Sequence, residues 1–471
     1  VFSSGWALAM DSIPAMRDVA RDLGLWGIAT NLPYVVAPLV GGWMIGYFHG
    51  TRPGYQAVFA LAGLSFALAA LTVLRVGRTP LSSLWGWPLR FAAVTSNYVF
   101  VRIAYRIRHW GSLPRKRGPT LIVANHQHDL ESMTIVTTTG VEYGPWRHPV
   151  FTASSRRMYE PGFMASRLPW LSPLVRPFNF GPLFVALGML PLENQLASRD
   201  LSSLAWTVEQ RHGPLALQDV FDERVARAFP AGTKTSQLLD ARFFNESRQI
   251  VKMTAVREPY RKEVLEATRA SIEADFARME DVVRRGATFY LTPEGRYSLD
   301  GRIGPMRGAV DRLAPLATVY VAGVSYDPFV AKRLSMLFRL ARLRDRSALV
   351  QTLAATRPVT ATQLLSAWLE GRAAAFAVAD AVAGVRERLR ALPDVLFVDP
   401  ELRRDPARLV RAALPLMAEW AILERSGDEY CLAQQRQHPQ FPTVEDIVAY
   451  NARFLDETIA NAAYAPPLEG L

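Results

Sequence analysis

Two long stretches without a charged side chain place the strongest constraint on how this chain folds. Residues 23–48 contain no Asp, Glu, Lys or Arg, and neither do residues 53–74. A helix needs roughly 20 apolar residues to cross the hydrocarbon layer of a bilayer, and both stretches are long enough. A cleaved secretory signal would instead show a basic region before one short apolar core. The sequence therefore predicts two transmembrane helices, for which a plain two-helix anchor is the simplest arrangement.

The arginines around these stretches predict an orientation in the membrane. Arg17 and Arg21 precede the first stretch, and Arg75 and Arg78 follow the second. Arg52 is the only arginine or lysine in the connecting loop. Because positively charged residues favour the cytoplasmic side of a membrane, both ends are expected there. This pattern predicts a multi-pass protein of the cell inner membrane, with the remainder of the chain, including the candidate sites that follow, in the cytoplasm.

The composition is basic and apolar. The formal net charge is +11, and hydrophobic residues make up 50% of the chain. These properties favour contact with membrane lipids or with a phosphorylated substrate. A nucleic acid is not expected as a partner, because the chain has no zinc-ligand spacing, aromatic RNA-binding signature or clear recognition helix. The single cysteine, Cys431, excludes an internal disulfide and fits a reduced compartment.

A predicted strand that leads into a histidine-containing loop is the first candidate site. Residues 120–124 predict the strand, and residues 125–131 read Asn-His-Gln-His-Asp-Leu-Glu. A general base must accept a proton near neutral pH, and histidine titrates there. A carboxylate on the other ring nitrogen would orient that base and stabilise its charged form. We therefore predict His126 as the base, with Glu131 or Asp129 as its acidic partner.

The same loop could instead be interpreted as a metal site. His126, His128, Asp129 and Glu131 all have side chains that can bind metals. Their spacing does not place two histidines one turn apart on a helix, and the chain shows no second set of ligands. No metal ion is therefore expected at this loop.

A second apolar run ends in a loop rich in glycine and arginine. Residues 292–309 read Thr-Pro-Glu-Gly-Arg-Tyr-Ser-Leu-Asp-Gly-Arg-Ile-Gly-Pro-Met-Arg-Gly-Ala. Glycine lets a ligand approach the backbone closely, which makes Gly295 beside Glu294 a candidate binding position. Arginine forms paired hydrogen bonds with phosphate, so Arg296 and Arg307 are candidates for holding a charged headgroup. A surface turn of similar composition is the alternative interpretation.

Together, the two loops resemble the motifs of the glycerolipid acyltransferases, the family that includes 1-acylglycerol-3-phosphate acyltransferase. The first family motif places Asp five positions after His, and this chain has Glu131 at that distance from His126. The second family motif reads Phe-Pro-Glu-Gly-Thr-Arg-Ser. Its Pro, Glu, Gly and Ser are matched within residues 293–298, but the arginine is displaced to Arg296 and Tyr297 takes its position.

The resemblance covers roughly residues 110–330 and implies an α/β acyltransferase domain. It implies transfer of a fatty acyl group from acyl-CoA or acyl-carrier protein to the hydroxyl of a lysophospholipid acceptor. This is a step of phospholipid biosynthesis that needs no metal or redox cofactor. The motif position favours Glu131 over Asp129 as the partner of His126. The acceptor would be bound by residues of the second motif, namely Glu294, Gly295, Arg296, Ser298 and Arg307.

A third family motif bears on the identity of the acceptor. It consists of a glycine, an apolar strand and an arginine that contacts phosphate. Residues 188–194 are the best match, and Asn194 stands in the place of that arginine. Tyr297 already stands in the place of another motif arginine, so Asn194 is the second position where an expected phosphate contact is missing. The two departures predict an acceptor that differs from a simple precursor of phosphatidic acid.

The N-terminal stretches resemble part of a transporter. Residues 11–22 resemble a cytoplasmic loop of a major-facilitator transporter, and residues 27–48 and 55–74 resemble its last two helices. This implies an acyltransferase fused to the C-terminal end of such a transporter. The alternative function is a lipid transporter or lipid-binding protein with a decayed acyltransferase domain. A hydrolase is disfavoured because the chain lacks a Gly-x-Ser-x-Gly sequence.

Three parts make up the predicted organisation. Residues 1–80 would hold two transmembrane helices, and residues 81–330 the acyltransferase domain with an insertion at about 200–258. Residues 331–471 would form a mostly helical accessory domain. Within it, the basic stretch 332–346 is amphipathic, which fits a helix on the membrane or one packed on the protein. The predicted fold class is an α/β acyltransferase domain with two N-terminal transmembrane helices and a C-terminal helical accessory region.

Overall fold

Two compact units, Val1–Arg78 and Thr79–Leu471, make up the computed structural model of the chain. The structure describes residues 42, 45–46, 56, 59, 63, 86–111, 113, 118–128, 130–142, 150–159, 181–192, 198–239, 243, 246–306 and 308–467. The fold that can be described is therefore that of the second unit.

The predicted transmembrane helices are corrected by this structure. In the described parts of the chain, no helix is both long enough and apolar enough to cross a bilayer. The stretches 23–48 and 53–74 lie almost entirely outside the described residues. The 25-residue helix Tyr260–Arg284 is long enough but rich in Glu, Asp and Arg, which are costly in the hydrocarbon layer. The expected multi-pass, inner-membrane and major-facilitator character is therefore not found, and the fold is a mixed α/β fold.

The second unit contains both strands and helices. The strands are β1 (Arg106–Trp110), β2 (Thr120–Ala124), β3 (Val150–Ser155), β4 (Met189–Leu192), β5 (Ser198–Asp200), β6 (Ile250–Lys252), β7 (Thr288–Leu291), β8 (Thr318–Asp327), β9 (Ser335–Arg342), β10 (Phe376–Ala377), β11 (Leu423–Ser426) and β12 (Glu429–Leu432). The helices are α1 (Gly86–Ala104), α2 (Leu130–Glu142), α3 (Gly181–Ala186), α4 (Leu201–His212), α5 (Leu217–Val220), α6 (Glu223–Ala226), α7 (Tyr260–Arg284), α8 (Ala309–Leu313), α9 (Leu349–Thr356), α10 (Ala361–Leu369), α11 (Val378–Arg390), α12 (Pro400–Arg404), α13 (Pro406–Glu419) and α14 (Ile447–Ala460).

The main sheet has seven strands in the order β1-β9-β8-β2-β7-β3-β4. Strands β8, β2, β7, β3 and β4 are parallel, whereas β9 runs antiparallel to β8 and pairs in parallel with β1. Ligands of open α/β sheets bind outside the carboxyl ends of such parallel strands. Strand β2 ends at Ala124 beside β7, which ends at Leu291. The two candidate loops therefore leave the sheet side by side.

Burial on both faces of the sheet explains why β2 is a continuous apolar run. All five of its residues are buried. Ile122 and Ala124 belong to a core on one face, and Leu121 and Val123 belong to a core on the other. Helices α2, α10 and α14 contribute to the first core, and α7, α8 and α9 contribute to the second. A central parallel strand covered on both faces has this sequence pattern.

The segment between β4 and β7 contains a small structure with its own core. Strands β5 and β6 pair antiparallel, and Leu204, Phe221 and Met253 are among the residues of the core beneath them. Helix α7 adds Val264 to this core and then leads into β7. The segment includes residues 200–258, and their interpretation as an insertion stays a prediction.

Beyond residue 330 the chain first extends the sheet. Strand β9 lies inside the basic stretch 332–346, and its first six residues are buried. This stretch therefore forms a strand of the main sheet and not an amphipathic helix. Helices α10 to α14, with a small sheet of order β10-β12-β11, share one core with β8 and β9. The C-terminal helices are thus built onto the sheet that carries the candidate loops.

Candidate active site

The loop after β2 brings His126 and Glu131 together. Nδ1 of His126 lies 2.8 Å from Oε2 of Glu131. The Glu131 side chain is fully buried, whereas the His126 side chain is 16% exposed. A carboxylate at this distance orients the ring and favours its positively charged form. The structure thus pairs the two residues with the motif spacing, while Asp129 lies outside the described residues.

The start of helix α2 holds Glu131 in place. Oε1 of Glu131 accepts hydrogen bonds from the backbone N–H of Gln127 at 2.7 Å and from that of His128 at 2.8 Å. Carboxylates are stabilised near helix N-termini because unpaired backbone N–H groups are concentrated there. Since the backbone occupies Oε1, it is Oε2 that faces His126.

The residue before His126 attaches the loop to the sheet. Asn125 is 2% exposed, and its side chain donates to the carbonyl oxygen of Val324 at 3.1 Å. It also accepts from the N–H of Val324 at 2.7 Å. A buried amide needs such partners, and both are on strand β8. These two bonds continue the pairing of β2 with β8 and give His126 a defined starting position.

Glu294 connects the two candidate loops. Its Oε1 accepts the backbone N–H of His126 at 2.8 Å, and its Oε2 accepts that of Gly304 at 2.7 Å. The residue is 4% exposed. Burial raises the pKa of Glu294 to about 7, and the two backbone N–H groups partly offset this rise. Glu294 was predicted to bind the acceptor, but the protein backbone engages both carboxylate oxygens, so its direct effect is on the position of His126.

Glutamine at position 294 should remove a pH-dependent part of the stability. Because folding raises the pKa of Glu294 from 4.5 to about 7, its stabilising contribution is complete below pH 4.5 and is lost as the pH rises through 7. Between pH 5 and pH 8 the loss should be roughly 2–3 kcal/mol of unfolding free energy. Chemical denaturation at both pH values should show a loss that is smaller in Glu294→Gln than in the wild type by this amount. A further loss from Asp327, whose pKa burial also raises to about 7, should appear in both proteins. The exposed Glu266 supplies a control, Glu266→Gln, which should behave like the wild type. An equal loss in Glu294→Gln and in the wild type would show that Glu294 does not titrate in this range.

Two further residues of the second loop shape its backbone. Gly295 has a φ angle of +65°, a conformation that glycine adopts without strain. The backbone N–H of Ser298 donates to the carbonyl oxygen of His126 at 2.9 Å. The hydroxyl of Ser298 accepts from the N–H of Gly301 at 3.0 Å and donates to the carbonyl oxygen of Arg302 at 2.7 Å. Ser298 therefore fixes the turn beside the predicted base.

Of the two arginines predicted to hold a headgroup, Arg296 is the one that lies within the described residues. It is exposed, and within the described residues it forms no hydrogen bond or ion pair. The next residue, Tyr297, has its ring centroid 4.6 Å from that of His126. Arg307 and Asn194 lie outside the described residues. The aromatic residue in the usual arginine position thus contacts the base directly.

Three buried tyrosines surround the acidic side of the pair. Tyr290 and Tyr326 belong to strands β7 and β8, and Tyr450 belongs to helix α14. Burial and then the charge of Glu131 raise the pKa of each phenol, so all three stay uncharged. Tyr326 and Tyr450 also line a small cavity together with Gln127. Such an uncharged, buried setting strengthens the attraction between Glu131 and a protonated His126.

The ring of His128 has partners other than His126 and Glu131. Its Nδ1 accepts the backbone N–H of Leu130 at 3.1 Å, and its ring contacts Tyr326 and Phe441. His128 therefore contributes to the start of α2 and to the packing behind the site. Within the described ranges, no group of three or more His, Cys, Asp or Glu residues could hold a metal ion.

Two residues that no sequence pattern singles out support the second loop. Arg357 reaches the carbonyl oxygen of Gly301, and Glu457 accepts the backbone N–H of Ile303. Both lie in the C-terminal part of the chain, far from either motif. An arginine that follows the apolar helix α9 directly is the one local sign that such a side chain would be buried against partners.

A comparison of the chain with protein-family models finds no match, and a comparison with curated proteins finds none either. Function therefore has to be inferred from the geometry of the site and its chemistry.

Proposed function

We propose that this chain is an acyltransferase, which moves a fatty acyl group from a thioester carrier to the hydroxyl group of a lysolipid. The observation that carries the proposal is the 2.8 Å contact between Nδ1 of His126 and the buried Oε2 of Glu131. A histidine oriented by a carboxylate is a suitable base for activating a hydroxyl group. The resemblance of both loops to glycerolipid acyltransferase motifs supports the same reaction.

In this reaction the acceptor hydroxyl attacks the thioester carbonyl carbon while His126 takes its proton. With Nδ1 donating to Glu131, Nε2 is the basic nitrogen of the neutral ring. The C–O bond forms and the C–S bond breaks, so the carrier leaves as a thiolate and recovers the proton from His126. The negative charge of Glu131 stabilises the imidazolium between these steps. The protein ends unchanged, and acyl-CoA or acyl-carrier protein would supply the acyl group.

The longer side chain of Glu131 supports an active site more than a decayed one. Glutamate reaches one methylene further than the aspartate of the family motif. In this chain its carboxylate turns back onto the N–H groups of Gln127 and His128 and still meets His126 at hydrogen-bonding distance. The substitution is therefore compatible with the geometry that a general base requires.

Alanine at position 296 should raise the KM for the acceptor and change the KM for the acyl donor little. The exposed guanidinium of Arg296 adjoins Tyr297, whose ring contacts His126. Loss of one charge-assisted hydrogen bond to a headgroup costs about 1.5–3 kcal/mol, or on the order of 10–100-fold in KM. Steady-state kinetics with each substrate varied in turn would measure both constants.

The control for Arg296 is Arg269→Ala, because Arg269 is an exposed arginine of helix α7 outside both loops. It should leave both constants unchanged. A change confined to the donor KM in Arg296→Ala would assign this arginine to the carrier. Comparing lysophosphatidic acid with a zwitterionic lysolipid in the same assay would show whether the headgroup needs a free phosphate.

The direct test of the proposed function uses the purified full-length chain. It would be offered labelled acyl-CoA or acyl-carrier protein together with a panel of lysolipids, and the products would be identified by mass spectrometry. A diacyl product that depends on His126 would support the proposal. Release of free fatty acid alone would indicate hydrolysis by the same base. The absence of turnover by folded protein with every pair of substrates would refute the proposal.

A further inference from the structure

Helix α14 lies directly against the turn that follows Glu294. Gly301 in this turn has a φ angle of +88°. A Cβ atom at this position would come within 2.2 Å of the carbonyl oxygen of Tyr450 and 3.1 Å of the backbone nitrogen of Phe454. Only glycine allows so close an approach. The turn and the C-terminal helix are therefore in contact through their backbones.

A buried arginine joins the turn to the helix. Arg357 is 1% exposed, and it donates to the carbonyl oxygens of Gly301 at 3.4 Å and of Phe454 at 3.1 Å. It also forms an ion pair of 2.9 Å with Glu457. A buried guanidinium depends on such partners, because an unpaired charge in the interior is costly. These contacts give the Glu457 carboxylate a defined position at the turn.

Glu457 and Glu294 hold neighbouring backbone N–H groups of one turn. Oε2 of Glu457 accepts the N–H of Ile303 at 3.1 Å. Oε2 of Glu294 accepts the N–H of the next residue, Gly304, at 2.7 Å, and its Oε1 accepts that of His126 at 2.8 Å. Hydrogen bonds to carboxylates are among the stronger ones in proteins. A shift of Ile303 would therefore be passed to the backbone of His126 through Glu294.

We propose that Glu457, held by Arg357, is a positioning residue for His126. It acts through the Ile303–Gly304 peptide and Glu294, and it makes the C-terminal helices part of the catalytic apparatus. The proposal rests on the proposed acyltransferase function where it concerns turnover. The orientation of His126 is a separate quantity that can be measured without substrates.

A residue that only stabilised the fold would have a different experimental signature. Its loss would lower the unfolding midpoint and leave the titration of His126 in the folded protein unchanged. A positioning residue instead alters the orientation of the base, and a misplacement of about 1 Å can reduce turnover by about 100-fold. The split between kcat and KM and the titration of His126 therefore separate the two roles.

The variant Glu457→Gln in the full-length chain provides the test. Glutamine keeps the size of the side chain but removes the charge that pairs with Arg357. Because the N–H of Ile303 lies within 3.3 Å of both carboxylate oxygens, the NH₂ group of glutamine would also place a donor against this N–H. We expect kcat to fall by about 10–100-fold, with little change in the KM of either substrate. The imidazole resonances of His126, followed by NMR as a function of pH, should titrate at a different pH from the wild type.

Two further variants complete the design. Asp456→Asn is the matched control, because Asp456 is the exposed neighbour of Glu457 on α14 and should leave kcat and the His126 titration unchanged. Glu457→Asp keeps the charge near Arg357 and withdraws the carboxylate from Ile303 by one methylene. It should show smaller changes in kcat and in the His126 titration, in the same directions. If the glutamine variant does not fold, this aspartate variant decides whether Glu457 positions His126.

Wild-type kcat together with a wild-type titration of His126 in either folded Glu457 variant would overturn the proposal. If the wild-type chain transfers no acyl group to any acceptor, the proposed function fails by itself. In that case the His126 titration alone decides, and a shift in Glu457→Gln with none in Asp456→Asn would still support the positioning role.

Discussion

Replacing His126 with alanine should reduce acyl transfer by roughly 10²–10⁴-fold and leave the protein folded. The variant loses the base that takes the proton of the acceptor hydroxyl. Glu131 would keep its hydrogen bonds from the N–H groups of Gln127 and His128, so its buried charge would remain stabilised. We expect the loss in kcat at saturating substrates, with a circular dichroism spectrum like that of the wild type. The unfolding midpoint should fall, because the buried Oε2 of Glu131 loses its contact with His126.

A second histidine–glutamate pair offers a control for this variant. His212 in helix α4 has Nε2 2.7 Å from Oε2 of Glu263, and both side chains are partly exposed. His212→Ala therefore removes a comparable contact away from the candidate site and should leave turnover at the wild-type level. Wild-type turnover by folded His126→Ala would show that another group accepts the proton.

The pairing of His126 with Glu131 could be predicted from sequence because its determinants are local. An apolar run with burial on both faces predicts a central strand, and five positions separate the two residues across the start of the next helix. The contact needs only the strand, the turn and the first helical residue to form as expected. The resemblance to acyltransferase motifs adds the chemical role, which strand and helix patterns alone do not supply.

The support of this pair could not be predicted because it depends on contacts between distant parts of the chain. His126 and Glu294 are 168 positions apart, and Ile303 and Glu457 are 154 positions apart. Neither the periodicity of the sequence nor a sequence motif predicts a contact between residues so far apart in the chain. From sequence, Glu294 is therefore interpreted as a ligand of the acceptor. Its two backbone partners become visible only when β2 and β7 are placed side by side.

Hydropathy is a poor predictor of secondary structure where a helix and a strand could both bury the same apolar residues. In the stretch 332–346, Leu334, Leu337 and Phe338 have the spacing of an amphipathic helix. The structure places a strand here because β9 is buried between β1 and β8. The uncharged stretches near the N-terminus predicted membrane helices on length alone, and the described helices contain none with that character. The polarity of a segment alone does not determine whether its apolar residues are buried in a membrane, in a packed helix or in a sheet.

Glutamine at position 131 should reduce kcat by on the order of 10³–10⁴-fold. Oε1 of Glu131 accepts two backbone N–H groups, so the single oxygen of glutamine would be drawn to that side. Its NH₂ group would then face Nδ1 of His126, which would have to accept a hydrogen bond. The ring would carry its proton on Nε2 and could not take one from the acceptor. In serine proteases the corresponding Asp→Asn change acts through the same wrong tautomer.

The comparison variant is Asp129→Asn, measured under the same conditions. We expect a much smaller loss of kcat, because the structure places the carboxylate of Glu131 against Nδ1 of His126. A larger loss in Asp129→Asn than in Glu131→Gln would mean that Asp129 orients the base. Glu131→Asp adds a further distinction, because a shorter carboxylate cannot reach both the backbone of Gln127 and the ring. Partial activity in that variant, with the pH optimum retained, would separate a loss of reach from a loss of charge.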